Sequence, residues 1–245
     1  MDDSREFQRQ VEANIAGLGR DLPLKGMSHV WLREASRHRY THNFRWLGLP
    51  IVQVPQDIVA MQELIWQVRP RRIVETGVAR GGSLVFYASM LRLIGGERRV
   101  IGVDIDIRPH NRRAIESHPM ADRIDLVEGS STDRSVVEQV RQQVANHGPV
   151  LVSLDSNHTH AHVLKELELY GPLVTKGSYL VVFDTAISQT PPDFFPDRPW
   201  GPDDNPKTAV DAFLDRNDRF EIDRSIPDKL QITVSPDGYL RCVKE

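Results

Sequence analysis

Between residues 73 and 183 short apolar runs alternate with helix-period segments. The runs lie at 73–74, 100–103, 124–127, 150–154 and 179–183, and the last two are apolar almost throughout, as strands buried on both faces are. Segments 84–93, 112–117, 135–146 and 160–173 carry the apolar spacing of helices. Five strands with helices between them predict an α/β fold built on a doubly wound parallel sheet.

The flanks read differently. Residues 2–20 are polar except for Phe7, Val11, Ile15 and Leu18, one stripe on a helix. Residues 21–56 are irregular and carry Trp31, Tyr40, Phe44 and Trp46; they are expected to cover one side of the core, as packing, substrate wall or subunit contact. Residues 1–56 therefore read as an N-terminal helical and irregular arm, and 57–245 as the main domain. Asp57 is placed as N-cap of a helix over 58–68 that Arg69-Pro70 ends. After Asp184 the segment 190–206 holds six prolines with Phe194, Phe195 and Trp200, and is expected to form a lid. Asn205-Pro206 then offers N-cap and N1 of a helix through Leu214. Segments 230–234 and 239–243, joined by Ser235-Pro-Asp-Gly238, predict a β-hairpin.

Composition narrows the class. A chain of 245 residues with 40% hydrophobic and 27% charged residues supports one sizeable core. A net charge of -3 gives no footprint for nucleic acid. Cys242 is the single cysteine, expected in a C-terminal strand, which excludes an intrachain disulfide and a thiolate metal cluster. No stretch is long and apolar enough for a membrane span, and the N-terminus lacks a secretory pattern, so a cytoplasmic setting is expected.

In open α/β sheets ligands bind beyond the carboxyl ends of the strands. Polar residues gather at those positions: Glu75 with Gly77, Gly81, Gly82 and Ser83, then Asp104, then Ser130 and Ser131, then Asp155 to His158, then Asp184. The glycine spacing is neither G-x-G-x-x-G nor a phosphate-cradling loop, since no Lys-Ser/Thr pair follows. Glycine amides for a carboxylate, with Asp104 for a ribose diol, suit S-adenosylmethionine; a dinucleotide and purely structural glycines are the alternatives. Asp155 and Asp184 would face one cleft, where two carboxylates repel unless a proton or cation lies between them. Hard oxygen ligands suit Mg²⁺. His158 is the candidate general base, while His160 and His162 read as solvated positions at a helix start.

Ile73-Val-Glu-Thr-Gly-Val-Ala-Arg-Gly-Gly-Ser83, Val103-Asp104, Glu128-Gly-Ser-Ser-Thr-Asp133, Leu154-Asp-Ser-Asn-His-Thr-His160, Leu164-Lys-Glu-Leu167 and Gly177-Ser-Tyr-Leu-Val-Val-Phe-Asp184 together resemble the family of cephalosporin hydroxylases and rhamnosyl O-methyltransferases. The resemblance runs from about Val54 to the C-terminus. It implies a Rossmann-like class I S-adenosylmethionine-dependent O-methyltransferase with a seven-stranded, mostly parallel sheet ending in an antiparallel hairpin. By position, Gly77, Gly81 and Ser83 would line the methionine end, Asp104 the ribose, and Ser130 and Ser131 the adenine. The family's Mg²⁺ ligands map to Asp155 and to a Glu-Asp pair, of which Asp184 is present and the Glu position is Phe183. Asn157, His158 or water is left to complete the set.

The expected activity is methyl transfer to a hydroxyl of a sugar or glycoside, with His158 and Asp155 catalytic, in a homo-oligomer. Two other classes stand beside it. An Fe(II) hydroxylase would use His158, His160 and Asp184, but a facial triad wants two histidines converging on open positions. A non-catalytic carbohydrate- or nucleotide-binding subunit would bind the donor without transferring methyl.

Overall fold

The computed structural model describes residues 3–245. Along the chain run α1 (Asp3–Arg20), α2 (Leu22–Arg37), β1 (Phe44–Trp46), β2 (Leu49–Ile51), α3 (Pro55–Val68), β3 (Arg72–Thr76), α4 (Gly82–Ile94), β4 (Arg99–Asp104), α5 (Pro109–Glu116), β5 (Ile124–Glu128), α6 (Arg134–Val144), β6 (Val150–Leu154), α7 (His160–Tyr170), β7 (Tyr179–Val182), α8 (Pro206–Leu214), β8 (Phe220–Ile222), α9 (Ser225–Leu230) and β9 (Tyr239–Cys242). Seven strands form one sheet in the order β5-β4-β3-β6-β7-β9-β8, and β1 pairs with β2 outside it. Strands β3 to β7 are mutually parallel, and β9 and β8 close the edge antiparallel.

Strand alternation divides the core in two. On β7, Tyr179 and Val181 join Phe183 in a cluster with Met61, Ile65, Leu84 and Phe86 from α3 and α4. Leu180 and Val182 face the other way, onto Val163 and Leu167 of α7 and Val210 and Phe213 of α8. The result is three layers, helix on sheet on helix. The chain reverses its winding direction between β3 and β6, which opens the crevice at their carboxyl ends where ligands of such sheets bind.

Several expectations are corrected. The segment after Asp21 is not irregular: the Asp21 side chain accepts from Leu24 N at 3.0 Å, Pro23 sits in the first turn, and α2 follows. Trp31, Tyr40 and Phe44 then stack edge to face at about 5 Å, and Trp46 packs on Phe86 and donates to Ser89 Oγ, while Trp31 stays 41% exposed. Helix α3 begins at Pro55, whose fixed φ suits a first turn. Asp57 is not its cap but is fully buried, and accepts from Thr233 Oγ1, Val234 N and Tyr239 Oη. Burial pushes its carboxyl up to about 6. Residues 230–234 are no strand for the same reason. Val234 gives its N–H to Asp57 and its carbonyl to Ala186 N, which satisfies the backbone without a ladder. The antiparallel pair at the sheet edge is therefore β8 with β9, not a hairpin of 230–234 with 239–243. Cys242 lies in β9, fully buried.

The N-terminal stripe is partly spent on the chain itself. Val11, Ile15 and Leu18 are half-buried as α1 packs on α9, while Phe7 stays 65% exposed. Among the described residues no helix is long and apolar enough to cross a membrane.

Candidate active site

The carboxyl ends of β3 to β7 bring every singled-out residue to one side of the molecule. Glu75 points from β3 into the layer of α4, where it is buried and accepts from Ser83 Oγ at 2.7 Å. Burial lifts its carboxyl to about 8, with the charge of Asp104 adding and the bonds from Ser83 and Tyr87 opposing. Asp104 ends β4 and reaches back to the loop after β3: its Oδ2 accepts from Val78 N at 2.8 Å and Ala79 N at 3.2 Å, its Oδ1 from Asp106 N.

The loop glycines act by shape. The Gly77 amide donates to Val103 O and the Gly81 amide to Val78 O, so neither amide is free for a ligand carboxylate, contrary to the expectation from spacing. Gly77 has φ +92°, and a Cβ there would stand 1.9 Å from the carbonyl oxygen of Asp155. Only glycine allows the loop and the turn after β6 to lie this close.

Asp155 follows β6 and Asp184 follows β7, and the pairing of these strands sets the two carboxylates side by side. His158 lies between them, Nδ1 at 2.9 Å from Asp184 Oδ2 and Nε2 at 3.8 Å from Asp155 Oδ1. Burial, then the facing charge of Asp184, holds the Asp155 carboxyl well above the usual carboxylate range. Ligand atoms of Asp155, His158 and Asp184 all lie within 4.8 Å of one another, a separation one cation can span. Phe183 is 2% exposed and belongs to the core with Tyr179 and Val181, so its position supplies no ligand. Asn157 does not replace it either: its Oδ1 accepts from Thr159 N and Thr159 Oγ1 at 2.9 and 2.8 Å.

Residues 190–206 lie over this cluster. Trp200 stacks on the His158 ring at 4.9 Å and 23°, and the Arg198 guanidinium lies 5.1 Å from the Trp200 centroid. The segment is pinned at both ends. Arg37 of α2 lies over Phe194 at 5.7 Å, and Asp204 accepts from the first amide of α7, His160 N. Asn205 caps α8 with a capping box, as its sequence position predicts.

His160 and His162 are not solvated as expected. His160 Nδ1 lies 2.9 Å from Thr208 Oγ1, and His162 Nε2 lies 3.1 Å from Ser131 Oγ and 3.2 Å from Ser156 Oγ. Neither joins the group of Asp155, His158 and Asp184, so the His-x-His-x-His run does not converge on one ion. Ser156 and Glu166 stand in the motifs that carry the resemblance, but residue order alone assigns them no role. The i, i+4 spacing of His162 and Glu166 on the helix face that also carries Val163, Leu167 and Tyr170 was the signal available.

The sequence model of the rhamnosyl O-methyltransferase/CmcI family matches residues 38–243. Among its relatives, the rhamnosyl O-methyltransferase of Mycobacterium tuberculosis is 33% identical over 204 residues, covering 80% of this chain and 76% of the relative. That of Mycobacterium leprae is 32% identical over 149 residues, 60% of this chain and 62% of the relative. Among solved structures, CmcI with Mg and SAM superposes with a TM-score of 0.59 at 23% identity, covering 83% of this chain and 78% of that one. An O-methyltransferase from Bacillus cereus in complex with SAH gives 0.52 at 14% identity, covering 89% and 91%. These superpositions establish the fold, a class I methyltransferase sheet, and the sequence matches establish the lineage. The chain belongs to the rhamnosyl O-methyltransferase/CmcI family and is an S-adenosylmethionine-dependent O-methyltransferase.

Proposed function

We propose that the chain methylates a hydroxyl of a sugar or glycoside, with His158 as general base and with Asp155 and Asp184 holding a divalent cation such as Mg²⁺. The observation that carries this is the placement of His158. Its Nδ1, 2.9 Å from Asp184 Oδ2, donates to that carboxylate, which leaves the lone pair on Nε2, toward Asp155, for a proton. The paired carboxylates and their spacing fit a hard cation, which when bound would lower the pKa of the acceptor hydroxyl. His158 then takes the hydroxyl proton at Nε2, and the imidazolium so formed is stabilised between Asp155 and Asp184. The acceptor oxygen forms its bond to the methyl carbon as the carbon–sulfur bond of the sulfonium breaks. Much of the acceleration comes from holding the two partners in line. Trp200 and its segment exclude water from the reacting atoms.

On the donor side, Glu75 and Ser83 face the methionine end with Gly77 and Gly81 shaping the loop, Asp104 the ribose, and Ser130 and Ser131 the adenine. This assignment makes donor affinity pH-dependent. Glu75, lifted to about 8, is protonated at neutral pH, whereas a methionine ammonium pairs best with its ionised form. Affinity for S-adenosylhomocysteine is therefore expected to rise with pH by up to about tenfold per unit from about pH 6 toward 8, and to fall again as the ligand's ammonium loses its proton. Calorimetry across that range measures it, with Glu75→Gln expected to flatten the curve. A flat wild-type curve would remove Glu75 from the donor site.

The function is tested by incubating the chain with S-adenosylmethionine, Mg²⁺ and a panel of rhamnosides, other glycosides and nucleotide sugars. One added methyl on a sugar oxygen, read by mass spectrometry, is the expected product. Donor binding with no transfer to any member would point instead to a binding subunit.

A further inference from the structure

The ends of β5 and β6 are joined by a polar cluster of which the proposed mechanism uses Ser131 alone. His162 sits on α7 with its side chain 24% exposed, one turn before Glu166, which is fully buried. Besides the Ser131 and Ser156 oxygens at 3.1 and 3.2 Å, His162 Nε2 has Glu166 Oε1 at 3.5 Å. The Ser156 hydroxyl donates to Glu166 Oε1 at 2.7 Å, and Glu166 Oε2 has no hydrogen-bond partner among the described residues.

Counting protons orients this cluster. A hydroxyl carries one proton, and that of Ser156 goes to Glu166, so toward His162 the Ser156 oxygen accepts. The tautomer that fits this acceptor carries its proton on Nε2. Ser131 Oγ, at nearly the same distance, shares that N–H as a second acceptor, and its own proton is left over. The Ser131 carbonyl is itself held by Tyr170 Oη at 2.9 Å, which fixes the backbone beneath the hydroxyl.

We propose that His162, backed by Glu166, is a positioning residue of the donor site: it holds the Ser131 hydroxyl as a hydrogen-bond donor for an acceptor nitrogen of the donor's purine ring. Glu166 faces the ring nitrogen at 3.5 Å, and Ser156 ties the β6 turn into the same cluster. The inference rests on the assignment of the β5 end to the adenine.

The test is calorimetric titration of the full chain with S-adenosylhomocysteine. His162→Ala and Ser131→Ala are each expected to weaken binding about tenfold, the size of one lost hydrogen bond in a dry site. The double variant is expected to lose no more than about tenfold, because the histidine acts through the serine. His162→Gln puts an amide nitrogen near the place of Nε2 and is expected to restore affinity; His162→Asn, which is too short, is not. The donor KM follows the same order, while kcat falls by far less. Unchanged affinity in folded His162→Ala, or a double variant weakened about a hundredfold, would overturn the proposal. Should the alanine variant fail to fold, equal affinities of the Gln and Asn variants would overturn it instead. Absence of binding to the wild-type chain would defeat the donor assignment itself, separately from any variant.

Discussion

Replacing His158 by alanine is expected to lower kcat by about 10²- to 10⁴-fold, the range that a positioned general base supplies. The geometry makes the effect specific to turnover. The His158 ring is held from one side by Asp184 at 2.9 Å and from its face by Trp200 at 4.9 Å, so its loss removes a proton acceptor already oriented for use. Affinity for S-adenosylhomocysteine is expected to change by less than about threefold, since the proposed role puts the ring at the acceptor and not at the donor. Activity against Mg²⁺ concentration separates base from ligand: a base leaves the half-saturating concentration unchanged, whereas a lost ligand raises it. Near-full activity of His158→Ala on its acceptor would remove the base assignment.

Removal of divalent cations is the second large effect. Two carboxylates side by side, one of them lifted by burial and by its neighbour's charge, favour either a shared proton or a cation. Exhaustive chelation is expected to reduce turnover about a hundredfold or more, with recovery on adding Mg²⁺. Asp155→Asn is expected to lose turnover similarly and not to recover. Because the cation competes with the proton on Asp155, the Mg²⁺ concentration required should fall as pH rises. Undiminished turnover after chelation would take the cation out of the mechanism, and the burial of Phe183 where the resemblance puts a ligand makes this experiment decisive for this chain.

The strand ends were legible from residue order because one physical rule, ligands beyond the carboxyl ends of a doubly wound sheet, collects Glu75, Asp104, Ser131, Asp155 and Asp184 without knowledge of distances. Asn205-Pro206 was legible because a cap is a local device. What was not legible depended on partners far along the chain. Asp57 has the look of a cap until Val234, Thr233 and Tyr239 are seen to surround it, and the same contacts dissolve the expected strand at 230–234. His162 looked solvated because Ser131, 31 positions away, gives no sign of itself in the helix pattern. The loop amides at Gly77 and Gly81 seemed available because their acceptors, Val103 O and Val78 O, are set by tertiary pairing and by turn closure.

The bare face of Gly77 against the Asp155 carbonyl has a mechanical meaning. Asp155 N also donates to Thr76 O at 2.9 Å, so the loop after β3 and the turn after β6 meet through backbone at Thr76 and again at Gly77. Neither can slide without the other, because no flexible side chain lies between them to absorb the displacement. The Asp155 carboxylate thus takes its position from the loop after β3 through main chain alone, and any larger residue at position 77 would have to part the two.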